Sequence, residues 1–231
     1  MKIFFAIPMY RGVAHPACVQ SLEATLALVV ERGHEAVIGT CAGCCYIQFA
    51  RNRLVRDFLK TDANVLFFID DDVSWTAEDA LRLIESEELV LAGVYRLKND
   101  VESYPVVICT DANDRAHPLR NGVIEAKAVP SGFLRIQRMV IEELIEAHPE
   151  KAYYDLVDGV REDGYYDIFP QGVYGDRWVG EDYAFCRLWT DLGGHIGVLP
   201  NMTLGHHAGD RKWIGNYHEF LLRQPGGSLA A

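Results

Sequence analysis

The chain has 231 residues, 49% of them hydrophobic and 24% charged, which is typical of a globular protein long enough to bury a substantial core. Its formal net charge of −11 argues against a protein that holds nucleic acid by bulk positive charge. Apolar runs such as 26–30 and 89–93 are far too short to span a bilayer. The N-terminus has the pattern of a first strand and not of a signal peptide, so we expect a cytoplasmic protein.

Strand and helix patterns alternate through the first half of the chain. Apolar segments predict strands, and amphipathic spacing predicts helices, in the order strand 2–10, helix 15–33, strand 35–40, helix 46–61, strand 63–70, helix 76–86 and strand 88–95. The segment 63–70 is almost continuously apolar, which predicts burial on both faces. This alternation predicts an α/β fold with a mostly parallel, doubly wound central sheet flanked by helices.

The second half of the chain is less regular. Its patterns predict strands at 104–111 and 124–137, a helix at 138–148, a long loop at 153–177, a helix at 178–193, two short strands within 194–209 and a C-terminal helix at 212–224. Because we find neither an internal repeat nor a linker, we expect a single domain over 1–224. A flexible tail is expected at 225–231.

Three consecutive carboxylates, Asp70, Asp71 and Asp72, follow the third predicted strand. In an open α/β sheet, ligands bind beyond the carboxyl ends of the strands. Side-chain alternation predicts that Asp70 and Asp72 face one way and Asp71 the other. Two carboxylates one residue apart suit a hard divalent cation such as Mg²⁺ or Mn²⁺. A solvated turn that caps the following helix fits the same motif when it is taken alone.

Further polar residues could complete such a site. Glu181 and Asp182 form an acidic pair at a predicted helix start, a position that the helix dipole alone also favours. His206 and His207 end a predicted strand, where a neutral imidazole could join the carboxylates around a metal, although either could equally be a structural residue. Arg51 begins a basic run that could receive phosphate or could form a solvated helix face.

The first strand lacks the common phosphate-binding motifs. Neither GxGxxG nor GxxxxGK[ST] follows it, which argues against a Rossmann dinucleotide fingerprint and a phosphate loop. Pro8 and Tyr10 instead end this strand, and the tyrosine ring could stack on a nucleobase.

The order of these segments resembles the GT-A glycosyltransferases, particularly the small single-domain, family-2-like enzymes of viral and bacterial genomes. The resembling segments span nearly the whole chain: AIPMYRG at 6–12, FARNRLVRDFL at 49–59, LFFIDDDVSW at 66–75, VPSGFLRIQR at 129–138, GEDYAFCRLWTDLGG at 180–194 and LGHHAG at 204–209. A DxD motif alone is a weak signal, whereas the ordered set is specific.

The resemblance implies a Rossmann-like GT-A fold, a nucleotide-sugar donor, commonly a UDP-sugar, and Mn²⁺ or Mg²⁺ as cofactor. It implies that Asp72 binds the metal directly, that Asp70 lies near the metal or the ribose, and that a histidine adds a ligand. We prefer His206 to His207 for that ligand, although the doublet leaves the choice open. Asp182 would be the general base of an inverting enzyme. The implied donor-binding residues are Pro8, Tyr10, Arg11, Arg51, Asp70, Asp71, Gly132 and Glu181, of which Asp71 is expected to matter least.

The resemblance therefore predicts a metal-dependent, inverting glycosyltransferase that acts on a hydroxyl acceptor. A glycan, a protein and a hydroxymethylated base in phage-type DNA all fit as acceptor, and the sugar, the stereochemical outcome and the oligomeric state stay open. Two alternatives use the same kind of ligand. A sugar nucleotidyltransferase would typically carry a Gly-rich segment where IPMYRG has one glycine. A non-catalytic nucleotide-sugar-binding protein would not need Asp182.

Overall fold

The computed structural model describes residues 1–112 and 115–224, so the expected tail at 225–231 lies outside the described residues. The strands are β1 (Lys2–Met9), β2 (Glu35–Ala42), β3 (Val65–Ile69), β4 (Val73–Ser74), β5 (Val90–Ala92), β6 (Val107–Ile108), β7 (Ile124–Ala128), β8 (Phe133–Gln137), β9 (Ala152–Val157), β10 (Val160–Tyr166), β11 (Gly172–Tyr174), β12 (Arg177–Val179), β13 (Ile196–Val198), β14 (Thr203–Ala208) and β15 (Arg211–Asn216).

The helices are α1 (Pro16–Glu31), α2 (Ile47–Leu59), α3 (Ala77–Ile84), α4 (Arg138–Ala147), α5 (Glu181–Asp191) and α6 (Tyr217–Leu222), with a short 3-10 helix at Pro149–Lys151. Among the described residues, none of these helices has the length and apolar composition needed to cross a membrane.

Eight described strands form the central sheet, in the order β2-β1-β3-β8-β5-β13-β7-β6. β1 pairs in parallel with β2 and β3, and β5 pairs in parallel with β13. β8 and β7 are antiparallel to each of their neighbours. With those two of eight reversed, six strands run in one direction. The predicted α/β fold, with a mostly parallel central sheet flanked by helices, is confirmed.

β3 lies at the centre of this layered arrangement. Val65, Phe67 and Ile69 pack into the apolar cluster on the side of α1 and α3. Leu66 and Phe68 pack into the cluster that contains residues of α2, α4 and α5. All five side chains are buried, as the continuous apolar run predicted. Full burial of such a side chain contributes about 1.5–3 kcal/mol, which anchors the strand that ends in the three carboxylates.

The prediction of a long loop at 153–177 is wrong, because this segment forms two hairpins. β9 pairs with β10, and β11 pairs with β12 directly before α5. Asp158 and Gly159 join β9 to β10 with φ angles of 52° and 79°, as a two-residue turn with two positive φ values requires. The Asp-Gly pair and the alternating exposure along β9 are hairpin signals that the polar composition of the segment obscured.

The predicted C-terminal helix at 212–224 is wrong in its first part. Arg211–Asn216 form β15, in which Trp213 and Gly215 are buried and Ile214 is exposed, a period of two residues instead of 3.6. The helix begins at Tyr217, and the Asn216 side chain caps it by accepting from the Glu219 backbone N–H at 3.2 Å. β15 supports β14, which pairs in turn with β4 beside the three carboxylates.

Candidate active site

The candidate site lies at the edge of the sheet where β1 and β3 end. Because these strands are parallel neighbours, Pro8, Tyr10 and residues 70–72 come to the same edge. The antiparallel strand β8 begins at this edge, and its register places Gly132 beside Asp70. The Asp70 backbone N–H donates to the Gly132 carbonyl at 2.9 Å.

β14 brings the histidine doublet to the same edge. His206 lies opposite Val73 in the antiparallel pair of β14 and β4, and the His207 backbone N–H donates to the Asp72 carbonyl at 2.8 Å. Successive side chains of a strand face opposite sides, so only one imidazole of the doublet can face the Asp72 carboxylate.

Two cavities adjoin the three carboxylates. The first, of 390 Å³, is lined by Pro8, Tyr10, Cys44, Cys45, Ile47, Asp70, Asp71, Asp72, Tyr95, Leu97, Pro105, Pro130, Asp182 and His206. The second, of 610 Å³, is lined by residues that include Tyr10, Arg11, His15, Asp71, Asp72, Lys98, His207 and Gly209. Tyr10, Asp71 and Asp72 line both cavities and therefore separate them.

Asp70 is held from two sides. Arg51 Nη2 donates to Asp70 Oδ1 at 2.8 Å, and Tyr95 Oη donates to Asp70 Oδ2 at 3.2 Å. A Cβ atom at Gly132 would overlap Asp70 Oδ2 and Tyr95 Oη, so only glycine allows this close approach. Burial, followed by the charge of Asp70, raises the pKa of Tyr95 well above its ordinary value, which keeps the hydroxyl protonated as a donor.

Arg51 joins the β3 edge to the start of α5. Its side chain is 3% exposed, and Arg51 Nε donates to Glu181 Oε1 at 3.2 Å. Burial works to lower the pKa of Arg51, but the charges of Asp70 and Glu181 outweigh it and raise that pKa. The structure thus places Arg51 and Glu181 as partners of each other, and Arg51 as a buried residue that positions two carboxylates.

Asp72 has a different set of partners. Asp72 Oδ1 lies 3.4 Å from His206 Nε2, and Asp72 Oδ2 accepts a hydrogen bond from Lys98 Nζ. Burial works to raise the pKa of Asp72, but these contacts with His206 and Lys98 outweigh it and lower that pKa. His206 Nδ1 lies 2.9 Å from the Arg96 carbonyl, to which it donates, so Nε2 is the nitrogen left to face Asp72.

His207 lies on the other side of the strand. Its Nε2 lies 2.8 Å from Ser74 Oγ, and its ring stacks on that of His15 with centroids 4.4 Å apart. Burial, followed by the charge of His15, lowers the pKa of His207. Of the two histidines, His206 is the one whose ring faces Asp72 and lines the first cavity.

Asp182 lines the first cavity from the start of α5. Its Oδ1 accepts from the Tyr183 backbone N–H at 2.8 Å within the first turn of α5. Burial, followed by the nearby charge of Glu181, raises the pKa of Asp182 to about 6. A carboxylate with this pKa can accept a proton near neutral pH.

Asp71 lines both cavities, whereas Arg11 lines the second. Burial, followed by the charges of Asp72 and Asp70, raises the pKa of Asp71 to about 6. The Asp71 backbone carbonyl accepts from the His15 N–H at 2.7 Å, which ties the acidic edge to the start of α1.

The three predicted metal ligands do not converge on one point. Among residues 1–112 and 115–224, no group of three or more His, Cys, Asp and Glu side chains is arranged to hold a metal ion. Both oxygens of Asp70 already accept hydrogen bonds. Asp72 and His206 do fit a divalent cation, because an oxygen and an imidazole nitrogen face each other and Mg²⁺ commonly takes one or two carboxylates plus substrate phosphates.

Several residues that line the cavities are not among the site residues predicted from the sequence. Tyr95, Cys44 and Cys45 line the first cavity and Lys98 lines the second, but none of them was among the predicted site residues. Tyr95 lies three residues beyond Ala92, the last residue of β5. The rule that ligands bind beyond strand ends is therefore the signal that could have identified it. Lys98 lies in an irregular segment, where its contact depends on the path of the loop.

Comparisons with known proteins support the fold. No family model matches the chain, and no curated protein matches it. A crystal structure of A197 from STIV is similar with a TM-score of 0.51 and 18% identity, over 93% of this chain and 94% of that one. A crystal structure of GalNAc-T7 with UDP, GalNAc and Mn²⁺ is similar with a TM-score of 0.51 and 11% identity. That match covers 89% of this chain but 43% of GalNAc-T7.

At such low identities the likeness concerns the fold alone. The chain has a GT-A-like α/β fold, with the candidate site at the carboxyl edge of its central sheet.

Proposed function

We propose that the protein is a metal-dependent, inverting glycosyltransferase that moves a sugar from a nucleotide-sugar to a hydroxyl acceptor. One observation carries the proposal: the first cavity is lined both by the facing pair Asp72 and His206 and by the separate carboxylate Asp182, whose pKa is about 6. The pair suits a cation that would hold a diphosphate, and the separate carboxylate suits a general base. The proposal takes residues 1–224 as one catalytic domain that acts in the cytoplasm.

The charge of the first cavity supports a donor that binds together with a cation. Asp70, Asp71, Asp72 and Asp182 all line it, and carboxylates repel a diphosphate in a partly desolvated cavity. Asp72 and His206 would hold Mn²⁺ or Mg²⁺, which when bound would stabilise the charge that develops on the leaving diphosphate. Pro8 and Tyr10 would border the nucleobase, and Asp70, fixed by Arg51 and Tyr95, would face the ribose.

Asp182 would accept the proton of the acceptor hydroxyl. As the acceptor oxygen forms its bond to the anomeric carbon, the bond from that carbon to the phosphate oxygen breaks, and the diphosphate leaves with the electron pair. Attack from the face opposite the leaving group inverts the anomeric configuration. The burial that raises the pKa of Asp182 makes it a better proton acceptor than an ordinary exposed aspartate.

The fold supports the same reading. GalNAc-T7, which shares the fold, was crystallised with UDP, GalNAc and Mn²⁺, the kinds of ligand that the first cavity is proposed to take. UDP-sugars are therefore the first donors to test. Glycans, proteins and hydroxymethylated bases of phage-type DNA are the acceptor classes to screen.

A sugar nucleotidyltransferase is the second candidate, and one observation favours it. Arg11 and Lys98 line the second cavity on the far side of Asp72, where a pyrophosphate leaving group could be held. Such an enzyme would join a nucleoside triphosphate to a sugar phosphate and release pyrophosphate. The first cavity would then hold the nucleotide, and Asp182 would have no proton to accept.

Product analysis separates the candidates. Incubation with nucleotide-sugars, Mn²⁺ and an acceptor panel should release a nucleoside diphosphate and yield a glycosylated product. Asp182→Asn should slow this release by about 10²–10⁴-fold without weakening nucleotide binding. Release of pyrophosphate from a nucleoside triphosphate and a sugar 1-phosphate would overturn the proposal in favour of the nucleotidyltransferase. Nucleotide-sugar binding with neither product would indicate a non-catalytic binding protein.

A further inference from the structure

Lys98 forms an ion pair with Asp72, the carboxylate that the proposed metal would need. Lys98 Nζ donates to Asp72 Oδ2, while Asp72 Oδ1 faces His206 Nε2 at 3.4 Å. Both oxygens of Asp72 are therefore engaged. The side chains of Lys98 and Asp72 are each 30% exposed, so water reaches the ion pair and the ammonium can exchange for another cation.

The loop that carries Lys98 is held by hydrogen bonds that do not involve the Lys98 side chain. The Leu97 N–H donates to the Ser103 carbonyl at 2.9 Å, and Arg96 Nη2 donates to the carbonyls of Asn99 at 3.1 Å and Asp100 at 2.9 Å. These contacts fix the backbone on both sides of Lys98 without using its side chain. The flexible four-carbon stem of the lysine is thus free to move its charge over several ångströms.

The same loop also orients the imidazole that faces Asp72. The Arg96 carbonyl accepts from His206 Nδ1 at 2.9 Å, two residues before Lys98. Leu97 lines the first cavity and Lys98 lines the second, so the loop passes along the boundary at Asp72. One short segment therefore controls both partners of the Asp72 carboxylate.

We propose that Lys98 is a donor-binding residue that neutralises Asp72 in the unliganded protein, yields its place when a divalent cation binds, and then contacts the donor diphosphate. This inference rests on the proposed function. The ammonium and the metal would compete for one carboxylate, and the displaced ammonium would stay within reach of the charge that the metal recruits.

Competition between Lys98 and the metal for Asp72 predicts opposite changes in metal affinity and in diphosphate affinity when Lys98 is replaced. Removing the charge of Lys98 should strengthen metal binding to the unliganded protein, because a competitor for Asp72 is lost. The same change should weaken diphosphate binding at saturating metal, because one cation is missing from the complex. A lysine that only held its loop in place would not strengthen metal binding when replaced.

The test uses Lys98→Met, which keeps the length of the side chain and removes the charge, with Lys98→Gln as a second variant. Lys127→Met is the matched control, since Lys127 is an exposed lysine on β7 outside both cavities. Calorimetric titration of Mn²⁺ should give a Kd about three- to tenfold lower for both Lys98 variants, and titration of UDP at saturating Mn²⁺ a Kd higher by a similar factor. Lys127→Met should match the wild type in both titrations.

Each outcome decides the inference. Opposite changes in the two affinities support it. An unchanged or weakened Mn²⁺ affinity in the Lys98 variants overturns it, even where UDP binds normally, and an unchanged UDP affinity overturns the diphosphate contact. Failure of the wild type to bind any nucleoside diphosphate would count against the proposed function, whereas the Mn²⁺ titrations would still judge the displacement of Lys98.

Discussion

Arg51 Nη2 lies 2.8 Å from Asp70 Oδ1, so the first carboxylate of the acidic edge is bound to a buried guanidinium. The same guanidinium reaches Glu181, the residue before the proposed base. A single side chain on α2 thereby connects the end of β3 with the start of α5. Arg51 thus fixes Asp70 relative to Glu181, the neighbour of Asp182 in the chain, which makes Arg51 a positioning residue of the site.

Replacing Arg51 should destabilise the protein. Arg51→Met would leave the Asp70 and Glu181 carboxylates, with side chains 25% and 13% exposed, without their common partner. Removing one partner of a buried ion pair costs about 3–5 kcal/mol. We therefore expect Arg51→Met to lower the free energy of unfolding by about that amount, as measured by urea denaturation. Arg53→Met, on the same helix but only half-buried, should change it by less than about 0.5 kcal/mol. Equal effects of the two variants would contradict the positioning role.

Activity should fall at acidic pH because the proposed base must be ionised. The pKa of Asp182 is about 6, since burial and the charge of Glu181 disfavour its carboxylate form. Below that pH the group is protonated and cannot accept a proton, so kcat/KM should fall about tenfold per pH unit. Asp182→Asn should lower kcat by about 10²–10⁴-fold.

A control is needed because Asp71 also has a pKa of about 6. Asp71→Asn should keep the acidic limb of the pH profile in place, whatever its effect on the maximal rate. Loss of that limb in Asp71→Asn would assign the titration to Asp71 and remove the support for Asp182 as base.

The two adjacent histidines should differ in their effect on metal binding. His206 Nε2 faces Asp72, whereas His207 Nε2 is engaged with Ser74. Replacing His206 by Asn should weaken Mn²⁺ binding about tenfold or more. The electron paramagnetic resonance signal of free Mn²⁺ measures this binding. His207→Asn should leave the Mn²⁺ affinity near that of the wild type. A larger loss in His207→Asn would reverse the assignment.

Tyr95 should contribute to stability through its hydroxyl. Tyr95→Phe keeps the ring against His206 but removes the donor to Asp70 Oδ2, and a hydrogen bond to a charged group is worth about 1.5–3 kcal/mol. Thermal or urea unfolding measures this loss. Tyr10→Phe is the comparison, because Tyr10 is 66% exposed and its hydroxyl should add little to stability. An unchanged free energy of unfolding in Tyr95→Phe would contradict this contribution and would mean that water replaces the hydroxyl.

The layered fold could be predicted because its signals are local. The apolar run of β3 and the periodicities of α1 and α2 each occupy one continuous segment, and the order of such segments defines the sheet. The β9–β10 hairpin is also signalled locally, by Asp158-Gly159, but the polar composition of 153–177 is equally typical of a loop and obscures the turn signal.

The partners within the site could not be predicted, because they are distant in the chain. Arg51 looks like one more basic residue on an amphipathic helix, yet its two carboxylates lie 19 and 130 residues away. Lys98 lies in an irregular loop whose path brings it to Asp72, 26 residues earlier. No periodicity records such contacts, so the residue types of the site were available from the sequence but its connections were not.

The proposed metal-dependent donor site is tested most directly by titrating nucleoside diphosphates, UDP first, into the wild type and Asp72→Asn, each with and without Mn²⁺. Asp72 presents one oxygen to His206 and is the proposed metal ligand. We expect the wild type to bind a nucleoside diphosphate much more tightly with Mn²⁺ than without it, and Asp72→Asn to lose this gain. Binding that is indifferent to both Mn²⁺ and the Asp72 substitution would contradict the proposed metal-dependent donor site.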